Sequence, residues 1–351
     1  MSSNFEYRYV SLNPEQTAST EYTYGTAGLT EKIGEVDDES FQHMFDLLTR
    51  SDMSRYGAAK SINGKEYSEG GLNMVAQPDD FLGLLLYGLY GTDSALSSAG
   101  GYGFSANVHT FSEHRANILP SFTIKVNRED NLHIYTGMTL SRFSLSAAVG
   151  EYVTLSADFT GQAEDSAGGL DSLGTPTFTG AAVDGFHFAE GEVKFSSDNN
   201  ANTASALIKS ISMEFNTNLN TDDTYSLGSR TCVRKPEPQM REITGTVEFS
   251  RPVMTLNATY DDPDYTNLIA EGGLLYDGGT TAPAISLKFT NAGSQSLEVK
   301  IRKCRWEAPS LNVSGRDSST MSVNFVALVD SDYIMSTTVL TLASSADYQT
   351  L

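Results

Sequence analysis

Five histidines, two cysteines and one cluster of aspartates are the side chains of this sequence best suited to metal or nucleophilic chemistry. The histidines are His43, His109, His114, His133 and His187. His109 and His114 lie close in sequence, but no cysteine or carboxylate pattern beside them completes a metal set, so they read as surface or interface histidines. Cys232 and Cys304 are far apart and form no CxxC; they read as small buried apolar residues rather than a nucleophile or a metal pair. Gly100-Gly101-Tyr102-Gly103 has the composition of a phosphate loop but neither the Lys-Ser/Thr that follows one nor a GxGxxG, which leaves a turn. Asp261, Asp262 and Asp264 are interrupted by Pro263 and suit a helix N-terminus better than a calcium loop. Neither GxSxG nor HExxH occurs. Asn257-Ala-Thr and Asn312-Val-Ser fit the glycosylation pattern only formally, and Trp306 reads as a core or interface aromatic. No catalytic, cofactor-binding or metal residue is therefore assigned, no cofactor is expected, and an enzyme is the least favoured class.

The elements that would position any function are mostly strands. Ser121–Val126, Leu140–Leu145, Tyr152–Phe159, Ile208–Phe215, Ile243–Phe249, Ile285–Phe289, Leu297–Ile301 and Met321–Leu328 alternate apolar with polar residues. Ser and Thr fill much of the polar side, the pattern of antiparallel sheets with one wet face. Three helices are expected between them. Asp37–Thr49 opens on acidic residues and spaces Phe41, Met44, Phe45 and Leu48 helically. Pro78–Tyr87 starts on Pro and Asp signals and stops near Gly91; Asp262–Glu271 stops at Gly272-Gly273.

The balance of 23 basic against 44 acidic residues leaves a net charge of −21 over 351 residues. Too few cations exist, too scattered, to grip duplex phosphates. The densest groups are Arg230, Arg234 and Lys235, then Lys300, Arg302, Lys303 and Arg305; Lys300 and Arg302 alternate at a strand end and are expected to share a face toward water or a partner chain. With 39% hydrophobic residues the chain can bury a sizeable core. The N-terminus lacks the basic flank and apolar core of a secretory signal, and the run Phe81–Tyr90 is far short of the roughly 20 residues of a bilayer span. The expectation is a soluble acidic protein made in a reducing compartment.

The order of elements also repeats. Gly64, a strand at Leu72–Val75, the Pro78 helix, Phe122–Val126, Leu145–Gly150 and Val153–Phe159 are answered by Gly245, Met254–Ala258, the Asp262 helix, Ile285–Phe289, Leu311–Gly315 and Met321–Phe325. A turn-rich stretch, Gly161–Pro176, lies between. The expected division is 1–165 and 166–351.

Taken in order, several segments resemble the tail tube proteins of long-tailed bacteriophages. Glu21-Tyr-Thr-Tyr-Gly-Thr-Ala-Gly28 is similar to the family's opening segment, and Gly71–Gly91 to its strand, turn, apolar helix and closing glycine. His109-Thr-Phe, Leu119-Pro-Ser-Phe-Thr-Ile, Tyr135-Thr-Gly-Met and Phe143–Leu155 follow in the family's order, and Asn312–Leu328 resembles its last hairpin. The likeness runs from about Glu21 to Leu340, weakest over Asp165–Gln239.

The resemblance implies a mainly β fold: two tandem tail-tube-type β-sandwich or barrel units with short flanking helices. It implies a structural subunit of the virion tail, assembled in the host cytoplasm. Its rings stack around an acidic lumen through which DNA passes without specific binding. Two units per chain would make a homotrimeric, pseudo-hexameric ring, with a six-chain ring as the alternative. Tape-measure, tip and sheath proteins are the other implied partners, and no membrane is involved. The polar stretch between Arg50 and Tyr67, with Arg55, Lys60, Asn63 and Lys65, is the candidate for ring-to-ring contact, against a simple exposed hairpin. Two other functions stay open: a tail tip, baseplate-hub or terminator ring protein of the same fold, and a carbohydrate-binding β-sandwich, for which the 17 tyrosines speak.

Overall fold

The computed structural model describes residues 9–15, 32–51, 53–54, 56–91, 108–113, 119–128, 131–164, 184–197, 200–203, 208–250, 283–307, 310–312 and 320–342. In chain order the strands begin with β1 (Tyr9–Pro14), β2 (Lys32–Gly34), β3 (Asp38–Glu39), β4 (Gln42–Ser51) and β5 (Ala58–Val75), then helix α1 (Asp80–Tyr90). After it come β6 (Val108–Ser112), β7 (Phe122–Arg128), β8 (Asn131–Ala148), β9 (Thr154–Gly161) and β10 (Ala163–Glu164). The next group is β11 (Gly191–Ser197), β12 (Asn200–Thr203), β13 (Ile208–Asn216), β14 (Leu219–Asn220), β15 (Glu237–Pro238) and β16 (Glu242–Ser250). The last is β17 (Ile285–Thr290), β18 (Ser296–Ile301), β19 (Lys303–Trp306), β20 (Ser310–Asn312), β21 (Thr320–Leu328) and β22 (Ser336–Thr341).

All eight segments that alternate in the sequence are strands, the first starting at Phe122 rather than Ser121 and the third at Thr154 rather than Tyr152. In β9, Leu155, Ala157, Phe159 and Gly161 are buried while Thr154, Ser156, Asp158 and Thr160 face outward, as a one-sided sheet requires. The helix expected at Pro78 is α1. The Asp79 carboxylate caps it by accepting from the Leu82 N–H at 2.8 Å, and Gly91 closes it by donating to the Tyr87 carbonyl at 2.8 Å. Nearly every residue of α1 is buried, which is why its sequence is apolar all round.

The helix expected over Asp37–Thr49 does not form; the segment is β3 and β4. Its helical apolar spacing is overridden by pairing with the long β5, residue by residue from Gln42↔Glu69 to Ser51↔Ala58. The acidic start serves as side-chain anchors instead: Asp38 accepts from Asn73 at 2.6 Å, and Glu39 takes a two-point ion pair from Arg128. The helix expected at Asp262–Glu271, the strand at Met254–Ala258 and the Gly100–Gly103 turn lie outside the described residues, as does most of the Gly161–Pro176 stretch.

Strand β8 organises the molecule. Its first part pairs with β7 in the order β2-β1-β7-β8, and from Thr139 onward it pairs with β9. The change of layer follows a bulge near Gly137, whose φ of 67° suits glycine and whose N–H donates to Glu15 at 2.8 Å. The far part of β8, Arg142–Ala148, also pairs antiparallel with β13 on its other side. One sheet therefore runs β4-β5-β9-β8-β13-β16-β21, ending on β19 and β20, both paired with β21. A second sheet, β12-β11-β17-β18-β22-β6, covers the later part of this one.

A contiguous hydrophobic core fills the space between layers. Phe41, Tyr135, Phe122 and Phe159 interlock under the first part; Phe195, Phe249, Trp306 and Phe325 do so under the second, with Trp306 and Phe325 ring centres 5.4 Å apart. Burying such a side chain contributes about 1.5–3 kcal/mol. The Tyr90 hydroxyl lies 2.9 Å from Ser336 Oγ and 2.8 Å from Thr338 Oγ1, so the end of α1 is tied to β22 in the second sheet.

Candidate functional site

Three surfaces stand out, and all follow from the long sheet. The first is its polar face. Ser144 and Ser146 of β8, Ser212 and Glu214 of β13, Thr244 and Thr246 of β16, and Asn324 of β21 line a hollow of about 430 Å³, so the sheet is concave on this side. Period-two alternation produces the face: each hydroxyl sits between buried neighbours such as Phe143, Leu145, Met213 and Val247. Arg142 is ion-paired to Glu214, which raises the guanidinium pKa, and Lys209 to Glu248 at 3.5 Å. Asp158 and Glu242 belong to the same polar face, so the charge on β8, β9, β13 and β16 leans acidic, while Lys303 and Arg305 place two cations on that face at the β19 edge.

The second surface is the pair of sheet edges. Among the described residues β4 pairs only with β5 along its length, and β19 and β20 only with β21. Edge strands present unpaired backbone groups along one side.

The third is the β4–β5 hairpin. Beyond Tyr67 it leaves the sheet as a two-stranded ribbon with Arg50 opposite Lys60 and Leu47 opposite Asn63. Its root is braced. Lys65 Nζ stands 4.6 Å from the centre of the Tyr225 ring, Arg230 pairs with Glu66 at 3.8 Å, and the Glu66 N–H donates to the Arg230 carbonyl. Burial, with Cys232 beside it, pushes the Tyr225 hydroxyl pKa up. Past the root the ribbon is apolar and open: Phe45, Leu47, Leu48 and Ile62 are more than half exposed, and Met53 and Tyr56 at the tip are fully so.

Of the residues singled out in the sequence, Lys60 and Asn63 are exposed on the ribbon, Lys65 belongs to its brace, and Arg55 lies outside the described residues. The stretch from Ala58 to Tyr67 is strand rather than loop. The exposed apolar residues of the ribbon are the features sequence reasoning misses, because the spacing of Phe45 and Leu48 places them on a helix face. Lys300 and Arg302 are partly exposed and ion-paired within the chain, to Glu298 at 3.1 Å and to Asp330 at 3.1 Å. Burial works against the Asp330 carboxylate, but the Ile334 N–H and Arg302 hold its pKa below the ordinary value. Lys235 is buried and donates to the Leu119 carbonyl at 3.4 Å. His109 is a core residue stacked on Phe111, and His133 Nδ1 lies 2.6 Å from Glu164; His114 lies outside the described residues. Cys232 and Cys304 are both buried free thiols. Among the described residues no group of three His, Cys, Asp or Glu could hold a metal ion, and no helix is long and apolar enough to cross a membrane.

The fold and these surfaces define a mainly β protein whose conspicuous features are strand edges, a polar concave face and an apolar ribbon. The family model of the phage tail tube protein matches residues 15–327, most of the chain, and the chain belongs to that family. It is a structural family, which supports a tail tube role and a place in the virion tail. No curated protein matches the chain.

Proposed function

We propose that this chain is a tail tube subunit that forms rings around an acidic lumen, stacked into the conduit through which genomic DNA passes. The observation that carries the reading is the single long sheet, polar on its concave side and ending on two edges. Three copies laid edge to edge, β4 of one against β19 and β20 of the next, would close it into a barrel, and closure removes the exposed edges.

Two tube units per chain make that number three. The pairing order β4-β5-β9-β8 recurs as β13-β16-β21-β19/β20, and β2-β1-β7-β8 as β12-β11-β17-β18. A glycine stands opposite a buried phenylalanine at the same place in each: Gly70↔Phe159 and Gly245↔Phe325. The β8–β13 pairing then serves, inside one chain, as the junction that every neighbouring pair of units repeats. The proposed units are 1–165 and 166–351, with β6 of the first contributing a strand beside β22 of the second. The hydroxyl-rich concave face with a slight carboxylate excess would line the lumen, where it offers DNA phosphates few cations to grip. Lys60 and Asn63 belong to the ribbon that would reach the next ring, with Lys65 fixing its root. Tape-measure, tip and sheath proteins are the other partners this role implies.

Negative-stain electron microscopy of the purified chain at low and high concentration tests the reading. Hollow tubes or stacking rings are expected. Isolated rings that never stack would instead favour a tip or terminator protein.

A further inference from the structure

We propose that an apolar hollow at the β8–β9 end of the molecule is the receptor for the β4–β5 ribbon of a second copy of this chain. The inference rests on the tail tube reading and deepens it, by naming the surface on which one ring meets the next.

The hollow is lined by Ala147 and Val149 at the end of β8, Ile208 at the start of β13, Phe188 and Val193, and Phe289 of β17. Its volume of about 60 Å³ suits the end of a side chain, whereas small-molecule sites run to roughly 300 Å³ or more. Its rim is exposed and apolar where a monomer has no need for it to be: Val149 is 59% exposed, Tyr152 58% and Phe188 44%. Around that rim stand carboxylates. Glu151 is exposed and Glu190 flanks Phe188, while Lys209, which also lines the hollow, is ion-paired to Glu248 at 3.5 Å. The Glu151 carbonyl accepts from the Phe188 N–H at 3.1 Å, which fixes the acidic turn against the hollow.

Strand direction puts the ribbon at the other end of the molecule. Val75, the last residue of β5, pairs with Thr154 beside the β8–β9 turn, whereas Ser68 pairs with Gly161 and everything before it runs on past the sheet. The tip near Ala58 is therefore roughly 55 Å along the strand from Val75 if the strand is fully extended. A chain's own ribbon does not reach its own hollow. A copy displaced along the strand direction brings the two together, and such a contact is heterologous and does not close, so it propagates as a stack.

The two surfaces match in chemistry as well as position. The ribbon offers Met53 and Tyr56 at its tip and Leu47, Leu48 and Ile62 behind them. Its cross-strand pair Arg50 and Lys60 is cationic in a chain of net charge −21, and the rim opposite supplies Glu151 and Glu190. Apolar contact supplies the affinity, and the opposite charges orient the approach.

Cysteine pairing on the full-length chain tests this directly. Tyr56→Cys and Val149→Cys are made as separate proteins, mixed, allowed to assemble and mildly oxidised; the native cysteines are buried and stay silent. Covalent dimers are expected at least tenfold in excess over either variant alone. In parallel, Phe188→Asp is expected to form rings while losing at least tenfold in tube length, with an unchanged melting temperature as the folding control. If that variant misfolds, the cysteine pair decides alone. Tubes that assemble from the mixed variants without any disulfide-linked dimer between them would overturn the receptor and leave the tail tube reading standing. A wild-type chain that forms neither rings nor tubes would overturn both.

Discussion

At the level of single residues, two positions expose how tightly the sequence is tied to the fold. Asp79 caps α1 from a site where burial, with Asp80 and Glu35 nearby, pushes its pKa from 3.8 to about 7. A carboxyl whose pKa is raised on folding adds stability below its unfolded value, and that stability disappears as pH rises through the folded value. Asp79 therefore makes stability fall as pH rises from about 4 to about 7, and the loss is complete above that. Asp79→Asn keeps a capping oxygen without the charge. Chemical denaturation across that window should show a flatter pH dependence in the variant, with higher stability than wild type at pH 8; parallel curves would contradict the assignment. Gly245 is the second position. A Cβ there would lie 2.5 Å from the Ser212 carbonyl oxygen and 2.5 Å from Phe325 Cζ, so even a methyl group forces the sheet apart. Gly245→Ala is expected to cost on the order of 1–3 kcal/mol, read as a lower urea midpoint. In the sequence this glycine is only a repeat marker; its reason, a phenylalanine crossing the strand, belongs to the packing.

At the level of elements, the ribbon is where function and fold separate. Its inner part is held by the Lys65–Tyr225 and Glu66–Arg230 contacts, while its outer part leaves Met53 and Tyr56 fully exposed. Removing Ser54–Asn63 therefore takes away little that the core needs. The shortened protein should melt within a few degrees of wild type and form rings that do not elongate; tubes of normal length would contradict the stacking role. The strands are legible because Ser and Thr alternate with Val, Ile, Phe and Leu along each of them, a pattern that only a one-sided sheet satisfies. Helix α1 is legible for a different reason, since its Pro-Asp-Asp start and Gly91 stop are local signals. The segment from Asp37 to Thr49 is not legible. Phe41, Met44, Phe45 and Leu48 carry a helical period, and what makes the segment a strand is an edge of β5 supplied from elsewhere. The apolar character that suggests a buried helix face is real, but on Phe45 and Leu48 it faces outward.

At the level of the whole molecule, the β8–β13 pairing joins the two parts of the chain into one surface. Sequence repetition points to two units, but low residue identity hides which strands meet. The pairing order supports the proposed parallel, since it depends on backbone register rather than on side-chain identity. The concave face is legible only as Ser and Thr periodicity; its curvature is a property of the assembled sheet. In the proposed ring the same logic would extend to the next chain, with the β4 edge receiving the β19–β20 edge as β13 receives β8. The most direct test is high-resolution electron microscopy of the assembled protein with the symmetry left free. The account predicts three chains per ring, six pseudo-equivalent units around the lumen, and a β4 to β19–β20 junction that superimposes on the β8–β13 junction within each chain. Six chains per ring, each contributing a single unit to the barrel, would contradict it.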